Sequence, residues 1–174
     1  MSYDITFIQK SEAQTWQEAL EANEARVSAL ESWNSPASDA AYAEWQRISA
    51  LLLECNPGMS KHVAPHCLEL TDDATGLQVS LFESEAGISI PYAHSNETAQ
   101  PIMELVKRFA LIIEEETGLV GYDGQLDRRY LDSPTTAQEA GAFLGSTSHR
   151  LHEGDLLQRS NKKKRKPWWM FWRN

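Results

Sequence analysis

Residues 67–90 read CLELTDDATGLQVSLFESEAGISI, and apolar side chains alternate with polar ones along most of this stretch. The apolar positions recur at every second residue in three groups: Leu68 and Leu70; Leu77, Val79 and Leu81; Ile88 and Ile90. A period of two is typical of strands with one buried face. Residues 72–76 and 85–87 interrupt it with the Asp, Glu and Gly that are typical of turns. The stretch therefore predicts an antiparallel meander of three strands.

On both sides of the meander the apolar spacing changes to that of amphipathic helices. Three apolar stripes are present: Trp16, Leu20, Val27 and Leu30; Ala41, Trp45, Ile48 and Leu52; Ile102, Leu105, Val106, Phe109, Ile112 and Ile113. Ser11 with Gln14 has the pattern of a capping box and predicts the start of the first helix. Ser38 predicts the start of the second helix, and Gly118 predicts the end of the third.

Short strands are expected at residues 3–8 and 119–122, which gives the order β-α-α-β-β-β-α-β. This order predicts an α+β fold, a mainly antiparallel sheet covered by helices, in a domain of residues 1–132. Residues 133–158 are expected to form a weakly structured extension and linker with one short helix near residues 135–144. Residues 159–174 are expected to be a disordered basic, tryptophan-rich tail.

The charge of the chain is divided between the domain and this tail. Residues 1–158 contain nine Lys and Arg against all 25 Asp and Glu, whereas residues 159–174 contain seven cations and no acid. The tail residues with a candidate binding role are Lys162, Lys163, Lys164, Arg165, Lys166, Trp168, Trp169, Phe171 and Trp172. An acidic domain is expected to repel nucleic acid, so no nucleic-acid partner is expected.

Cations followed by tryptophans are typical of segments that bind an anionic membrane surface reversibly. The same composition also suits the groove of a partner protein, since Trp and Arg are enriched at binding hot spots. A third possibility is that the tail folds back onto its own acidic domain. Too few apolar residues are present in the tail to cross a bilayer.

The sequence has no cationic and apolar leader and no spanning segment, which predicts a cytoplasmic protein, with peripheral attachment to the inner face of the membrane as an option. Cys55, His62, His66 and Cys67 are all zinc-ligand types, but their spacing differs from that of structural zinc sites, so no metal is expected. No motif of a hydrolase, a P-loop or a dinucleotide site occurs, so neither a catalytic residue nor a cofactor is expected.

Acidic side chains at predicted turns and at a helix end are the candidate contacts for a basic partner. They are Asp72, Asp73, Glu83 and Glu85 in the meander, with Glu114, Glu115 and Glu116 at the end of the third helix. Three acids at a helix C-terminus are unfavourable for the helix dipole, and a basic partner would offset that cost.

Three segments resemble small uncharacterised bacterial proteins: MSYDITFI at residues 1–8, LELTDDATGLQVSLFES at residues 68–84, and ETGLVGYDGQL at residues 116–126. Those proteins begin with MSYD and carry a YDxQ motif, here Tyr122-Asp123-Gly124-Gln125. The resemblance covers roughly residues 1–130, implies a compact bacterial α+β domain, and implies no activity.

These observations together predict a non-enzymatic bacterial interaction domain with a basic protein partner. An immunity-type inhibitor of a toxin is the most specific form of this hypothesis, because toxins that attack nucleic acid have cationic clefts. The alternative is a peripheral membrane adaptor that is attached through its basic-aromatic tail.

Overall fold

A computed structural model describes residues 1–29 and 36–152, and these residues form one sheet of seven strands with four helices. Leu30 and the whole tail lie outside the described residues. The strands are β1 (Ser2–Ile8), β2 (Ser60–Ala64), β3 (Cys67–Asp72), β4 (Leu77–Leu81), β5 (Ala86–Pro91), β6 (Val120–Asp123) and β7 (Arg128–Arg129). The helices are α1 (Trp16–Ala29), α2 (Asp39–Cys55), α3 (Asn96–Thr117) and α4 (Thr136–His152).

The predicted α+β class and its mainly antiparallel sheet are confirmed. Across the sheet the strands lie in the order β2-β3-β4-β5-β1-β6-β7, and all neighbours are antiparallel. The chain contains two strands, β2 and β7, and a full helix, α4, that the predicted order β-α-α-β-β-β-α-β does not include. The predicted meander corresponds to β3, β4 and β5.

The two faces of the sheet differ in polarity because side chains alternate along each strand. One face carries apolar rows such as Leu70, Val79, Ile88 and Ile5. These residues join side chains of α2, α3 and α4 in one buried core. The opposite face carries polar rows such as Thr71, Gln78, Ser89 and Asp4. Helix α1 contacts this polar side of the sheet.

Two predicted helix ends are confirmed. The Ser38 hydroxyl accepts a hydrogen bond of 3.2 Å from the Ala41 backbone N–H, as expected of an N-cap. Gly118 has a φ of 69°, and its N–H donates to the Glu114 carbonyl at 2.9 Å. A left-handed residue is favoured at this position, which explains the glycine.

Helix α1 begins four residues later than its first capping pattern predicts. Ser11 and Gln14 do form hydrogen bonds with each other, but they close a turn before the helix. The capping box is formed instead by Thr15 and Glu18: the Thr15 N–H donates to the Glu18 carboxylate at 2.8 Å, and the Glu18 N–H donates to the Thr15 hydroxyl at 3.2 Å. Two capping patterns follow each other here, and the second one starts the helix.

The buried stripe of α1 also differs from the predicted one. Ala19, Asn23 and Val27 are buried, whereas Trp16 and Leu20 remain partly exposed. The Trp16 ring lies 4.9 Å from the ring of Tyr122 on β6. Helix α1 therefore packs with small and polar side chains, because it lies on the polar side of the sheet rather than on the apolar core.

Helix α4 (Thr136–His152) extends the short helix predicted near residues 135–144 into the stretch that the sequence predicts to be weakly structured. Its small residues Ala137, Ala140, Gly141 and Ser148 are buried. A Cβ atom on Gly141 would lie 2.6 Å from Oε1 and 3.4 Å from Cα of Gln100 on α3. This glycine therefore allows the two helices to approach closely.

Strand β2 is an edge strand with side chains exposed on both sides, and Val63 is 42% exposed. The alternation that marks the other strands is therefore missing from its sequence. On the helix side, the Lys61 ammonium donates to Gln46 at 2.6 Å and to Ser49 at 2.8 Å, both on α2. A lysine on an edge strand also opposes pairing with another strand.

Candidate functional site

The segments MSYD and YDGQ, which lie far apart in the sequence, meet at one end of the sheet. The Tyr3 hydroxyl donates a hydrogen bond to Oδ2 of Asp123, and both residues are fully buried. Oδ1 of Asp123 accepts from the backbone N–H of Gln125 at 2.9 Å and of Leu126 at 3.1 Å. The Gln125 side-chain oxygen in turn accepts from the Asp4 N–H at 3.3 Å. The cluster connects β1 with the loop that follows β6.

We call Tyr3, Tyr92, Asp123 and Tyr130 the tyrosine–aspartate cluster. These side chains hold their protons more strongly than free ones do. Burial raises the pKa of Asp123, although the hydrogen bond from Tyr3 and those from Leu126 and Gln125 lower it part of the way. Burial and the nearby Asp123 raise the pKa of Tyr3, and the same two causes raise the pKa of Tyr130. Burial, followed by the charges of Asp4 and Asp123, raises the pKa of Tyr92.

These tyrosines are therefore hydrogen-bond donors at physiological pH rather than bases. The cluster fixes the start of β1 against the end of β6 and sets the loop of residues 123–127 by two backbone hydrogen bonds. Neither motif indicates in the sequence that it pairs with the other. An aspartate at the end of a short strand is a signal for the turn alone, since Asp side chains accept from the backbone N–H two residues on.

Asp72 and Asp73 lie in the turn between β3 and β4. The Asp72 carboxylate accepts from the Ala74 N–H at 3.0 Å, the Thr75 hydroxyl at 2.9 Å and the Asn56 amide at 3.3 Å. These hydrogen bonds outweigh partial burial, and the pKa of Asp72 is lowered. Asp72 thus shapes the turn, whereas Asp73 is exposed.

Glu83 and Glu85 lie in the turn between β4 and β5, but only Glu83 is exposed. The Glu85 side chain is 4% exposed and accepts a hydrogen bond of 2.6 Å from the Asn23 amide of α1. Asn23 also accepts from Arg26 at 3.1 Å. Oε1 of Glu85 and Nη1 of Arg26 are buried and lack a hydrogen-bond partner. Glu85 therefore holds α1 on the sheet and cannot contact a partner.

The buried contact of Asn23 was not predicted from the sequence. It lies four residues after Ala19 and four before Val27, on the buried stripe of the helix. A polar residue at a stripe position is the signal that could have predicted a buried polar contact.

We expect Glu85→Gln to raise the free energy of unfolding at pH 7, because the glutamine side chain places no charge in this buried site. Burial raises the pKa of Glu85, while Asn23 and Arg26 lower it part of the way. A raised pKa in the folded state stabilises the fold fully below the unfolded pKa, and this contribution is lost as the pH rises through the folded pKa. Because glutamine does not ionise, the variant does not lose this stability as the pH rises. Urea denaturation from pH 4 to pH 8 measures it, with Glu83→Gln as the exposed control. A Glu85→Gln effect that is the same at every pH contradicts the expectation.

Two of the three glutamates at the end of α3 are engaged within the protein. Glu114 forms an ion pair with Arg129 and accepts from the Gly121 N–H at 2.9 Å. Glu116 forms an ion pair with Arg47 of α2. Glu115 is exposed.

The structure does not bring the seven predicted acids together. Asp72 and Asp73 are at the end of the sheet where β1 begins, while Glu83, Glu85 and residues 114–116 are at the opposite end. Only Asp73, Glu83 and Glu115 of the seven are exposed. They do not form one continuous contact surface.

A different group of acids is exposed along α1 and beside it. Helix α1 and the turn before it expose Glu12, Glu18, Glu21 and Glu24. The contact between Asn23 and Glu85 places the middle of α1 beside the turn that carries Glu83. We call Glu12, Glu18, Glu21, Glu24 and Glu83 the acidic ridge.

The four residues with zinc-ligand side chains do not lie on one element of the fold. Cys55 ends α2, Cys67 begins β3, and His62 is exposed on β2. Burial, followed by the charge of Glu69, raises the pKa of Cys67 to about 11, so its thiol is protonated. Within residues 1–29 and 36–152, no group of three or more His, Cys, Asp and Glu side chains is arranged to hold a metal ion.

None of the helices in the described ranges combines the length and the apolar character that crossing a membrane requires. The candidate tail residues, Lys162 to Trp172, lie outside the described ranges. Comparison of the chain with known proteins found no matching family model, no matching curated protein and no matching solved structure.

Proposed function

We propose that this chain is a non-enzymatic bacterial interaction domain that binds a basic protein, and specifically an immunity-type inhibitor of a cationic toxin. The exposed charge of the domain supports this function. Fourteen acidic side chains are exposed in the described part of the chain, against three Lys and Arg side chains. Arg47 is one of those three and is already paired with Glu116. A basic surface would thus meet mostly acidic side chains.

The acidic ridge is the proposed contact surface. Its helix is fixed to the sheet by Asn23 and Glu85 and is started by the capping box of Thr15 and Glu18. Its carboxylates are therefore presented on an ordered element, which lowers the entropic cost of binding. Complementary charge accelerates association and makes it dependent on salt.

Neutralising the ridge is expected to weaken partner binding at least tenfold, because three carboxylates that face the partner are lost. The variant Glu21→Gln, Glu24→Gln, Glu83→Gln leaves the capping residue Glu18 in place. The control is Glu54→Gln, Glu97→Gln, Glu104→Gln, which removes three exposed acids elsewhere. The partner would be isolated by pulldown from the source bacterium at low salt, and its affinity for each variant would be measured by titration.

If the ridge variant and the control weaken partner binding equally, the partner does not contact α1. If the full chain retains no basic protein even at low ionic strength, the proposed function is wrong. If the chain inhibits the activity of the basic partner that it retains, it is an immunity-type inhibitor rather than a passive binding protein.

Peripheral membrane attachment is the alternative, and the composition of the tail supports it. The six cations from Lys162 to Arg173 give at most about 6 kcal/mol of attraction to anionic lipid, at about 1 kcal/mol for each cation. That is a reversible attachment in the range of tens of micromolar. Flotation of the full chain with anionic and with neutral vesicles tests it, and equal flotation with both kinds would exclude it.

A further inference from the structure

The polar side of the sheet has a part that α1 does not fill. Its outward side chains are Asp4, Glu69, Thr71, Gln78, Ser80 and Ser89, which we call the open face. All six remain partly exposed. Helices α2, α3 and α4 pack on the other side of the sheet, so the open face is available to a ligand.

The open face is acidic. It contains two carboxylates, Asp4 and Glu69, and no Lys or Arg. Oδ2 of Asp4 accepts from the Ser2 hydroxyl at 2.9 Å, and Oε1 of Glu69 accepts from the Gln78 amide at 3.2 Å. Burial raises the pKa of Asp4, while Ser89, Ser2 and the N-terminal amine lower it part of the way. Two carboxylates with no Lys or Arg beside them favour a cationic segment from outside.

The C-terminal segment of the chain starts near this end of the sheet. Helix α4 runs antiparallel to α3, because Pro134 lies beside Lys107 while Gly141 lies beside Gln100. Its C-terminal end therefore points toward the start of α3, which follows β5 at the end of the sheet where Asp4 lies. The chain between His152 and Lys162 contains nine residues and can span up to about 30 Å. That length exceeds the roughly 10 Å between packed layers.

We propose that residues 159–174 of this chain bind the open face in cis, through charge pairing with Asp4 and Glu69. A short tether gives the segment an effective concentration in the millimolar range, so weak charge pairing is sufficient. The bound tail shields the acids of the open face and is released when a stronger anionic surface, such as lipid, binds it. This docking does not depend on the proposed partner, because it uses a different surface from the acidic ridge.

Backbone amide NMR on the full chain tests this docking. The tail variant is Lys162→Glu, Lys163→Glu, and its control is the charge reversal Arg108→Glu at an exposed position of α3. We expect the tail variant and high salt to shift the same amides, those of Gln78, Ser80 and Ser89, and the control to leave them unchanged. Ser80→Lys, which adds a cation to the open face, is expected to reproduce the shifts, whereas Ala50→Lys on the exposed side of α2 is not.

Three results would overturn the docking in cis. The first is that the amides of the open face do not respond to the tail variant. The second is that the response maps to the acidic ridge instead. The third is a response that disappears when the protein is diluted, since that assigns the contact to a second copy of the chain. Loss of partner binding in the ridge variant, measured separately, reports only on the proposed function.

Discussion

Asp123→Ala is expected to lower the free energy of unfolding by about 3 kcal/mol, since each buried donor left unpaired costs about 1–3 kcal/mol. The alanine leaves three donors without an acceptor: the Tyr3 hydroxyl and the backbone N–H groups of Gln125 and Leu126. Relief of the buried charge offsets part of this cost. Because burial raises the pKa of Asp123, its favourable contribution is largest below the unfolded pKa and declines as the pH rises through the folded pKa. The destabilisation is therefore larger at pH 4 than at pH 7.

Urea denaturation at both pH values measures this effect. Asp132→Ala is the control, since Asp132 is exposed. Asp123→Asn keeps an acceptor for the two backbone N–H groups and should lose less than the alanine variant. Equal stability of Asp123→Ala and Asp132→Ala would show that the tyrosine–aspartate cluster does not stabilise the fold.

Gly141→Leu is expected to destabilise the protein by about 2–3 kcal/mol, in the range of overpacking in a buried contact. The first added carbon already meets the Gln100 side chain, and its backbone Cα lies 3.4 Å away. The remaining carbons can fit only if α4 moves away from α3. For a chain of this size the expected decrease in melting temperature is about 5–10 °C.

Ala142→Leu makes a similar change one residue further along α4, on the exposed side. It should leave the melting temperature nearly unchanged, because leucine has a high helix propensity. If both variants melt at the wild-type temperature, α4 does not depend on close contact with α3.

Local features of the fold could be predicted where one kind of signal dominates. Residues 67–90 alternate because one face of the meander is buried, and β3, β4 and β5 follow that pattern. Ser38 and Gly118 mark helix ends because a cap depends on the neighbouring backbone alone. These signals do not require knowledge of the rest of the fold.

Features that depend on distant contacts could not be predicted in the same way. The sequence predicts a helix only near residues 135–144, because the Gly and Ser residues that follow are typical of linkers, whereas α4 continues to His152 and packs on α3. Strand β2 has no buried face of its own and is recognised only through its pairing with β3. Glu85 occurs in a turn, where an exposed acid is the usual expectation, and its burial depends on Asn23, 62 residues away.

The candidate site shows the same limit. Tyr3 and Asp123 are separated by 120 residues, and nothing in either segment indicates its partner. The seven predicted acids all occur at predicted turns or at a helix end, yet Glu114 and Glu116 form ion pairs with Arg129 and Arg47. Exposure, which decides whether an acid can bind a partner, is set by the packing of whole elements.

The position of β1 has a consequence for how the chain folds during synthesis. This strand is made before the other six, but both of its neighbours, β5 and β6, follow much later in the sequence. Its partner Pro91 leaves the ribosome about 90 residues after Ser2, a delay of roughly 5–20 s at the usual rates of translation. Throughout that interval Ile5, Phe7 and Ile8 have no strand to pair with. Among the seven strands of the sheet, β1 therefore waits longest for a partner, although in the finished fold it is among the most deeply buried.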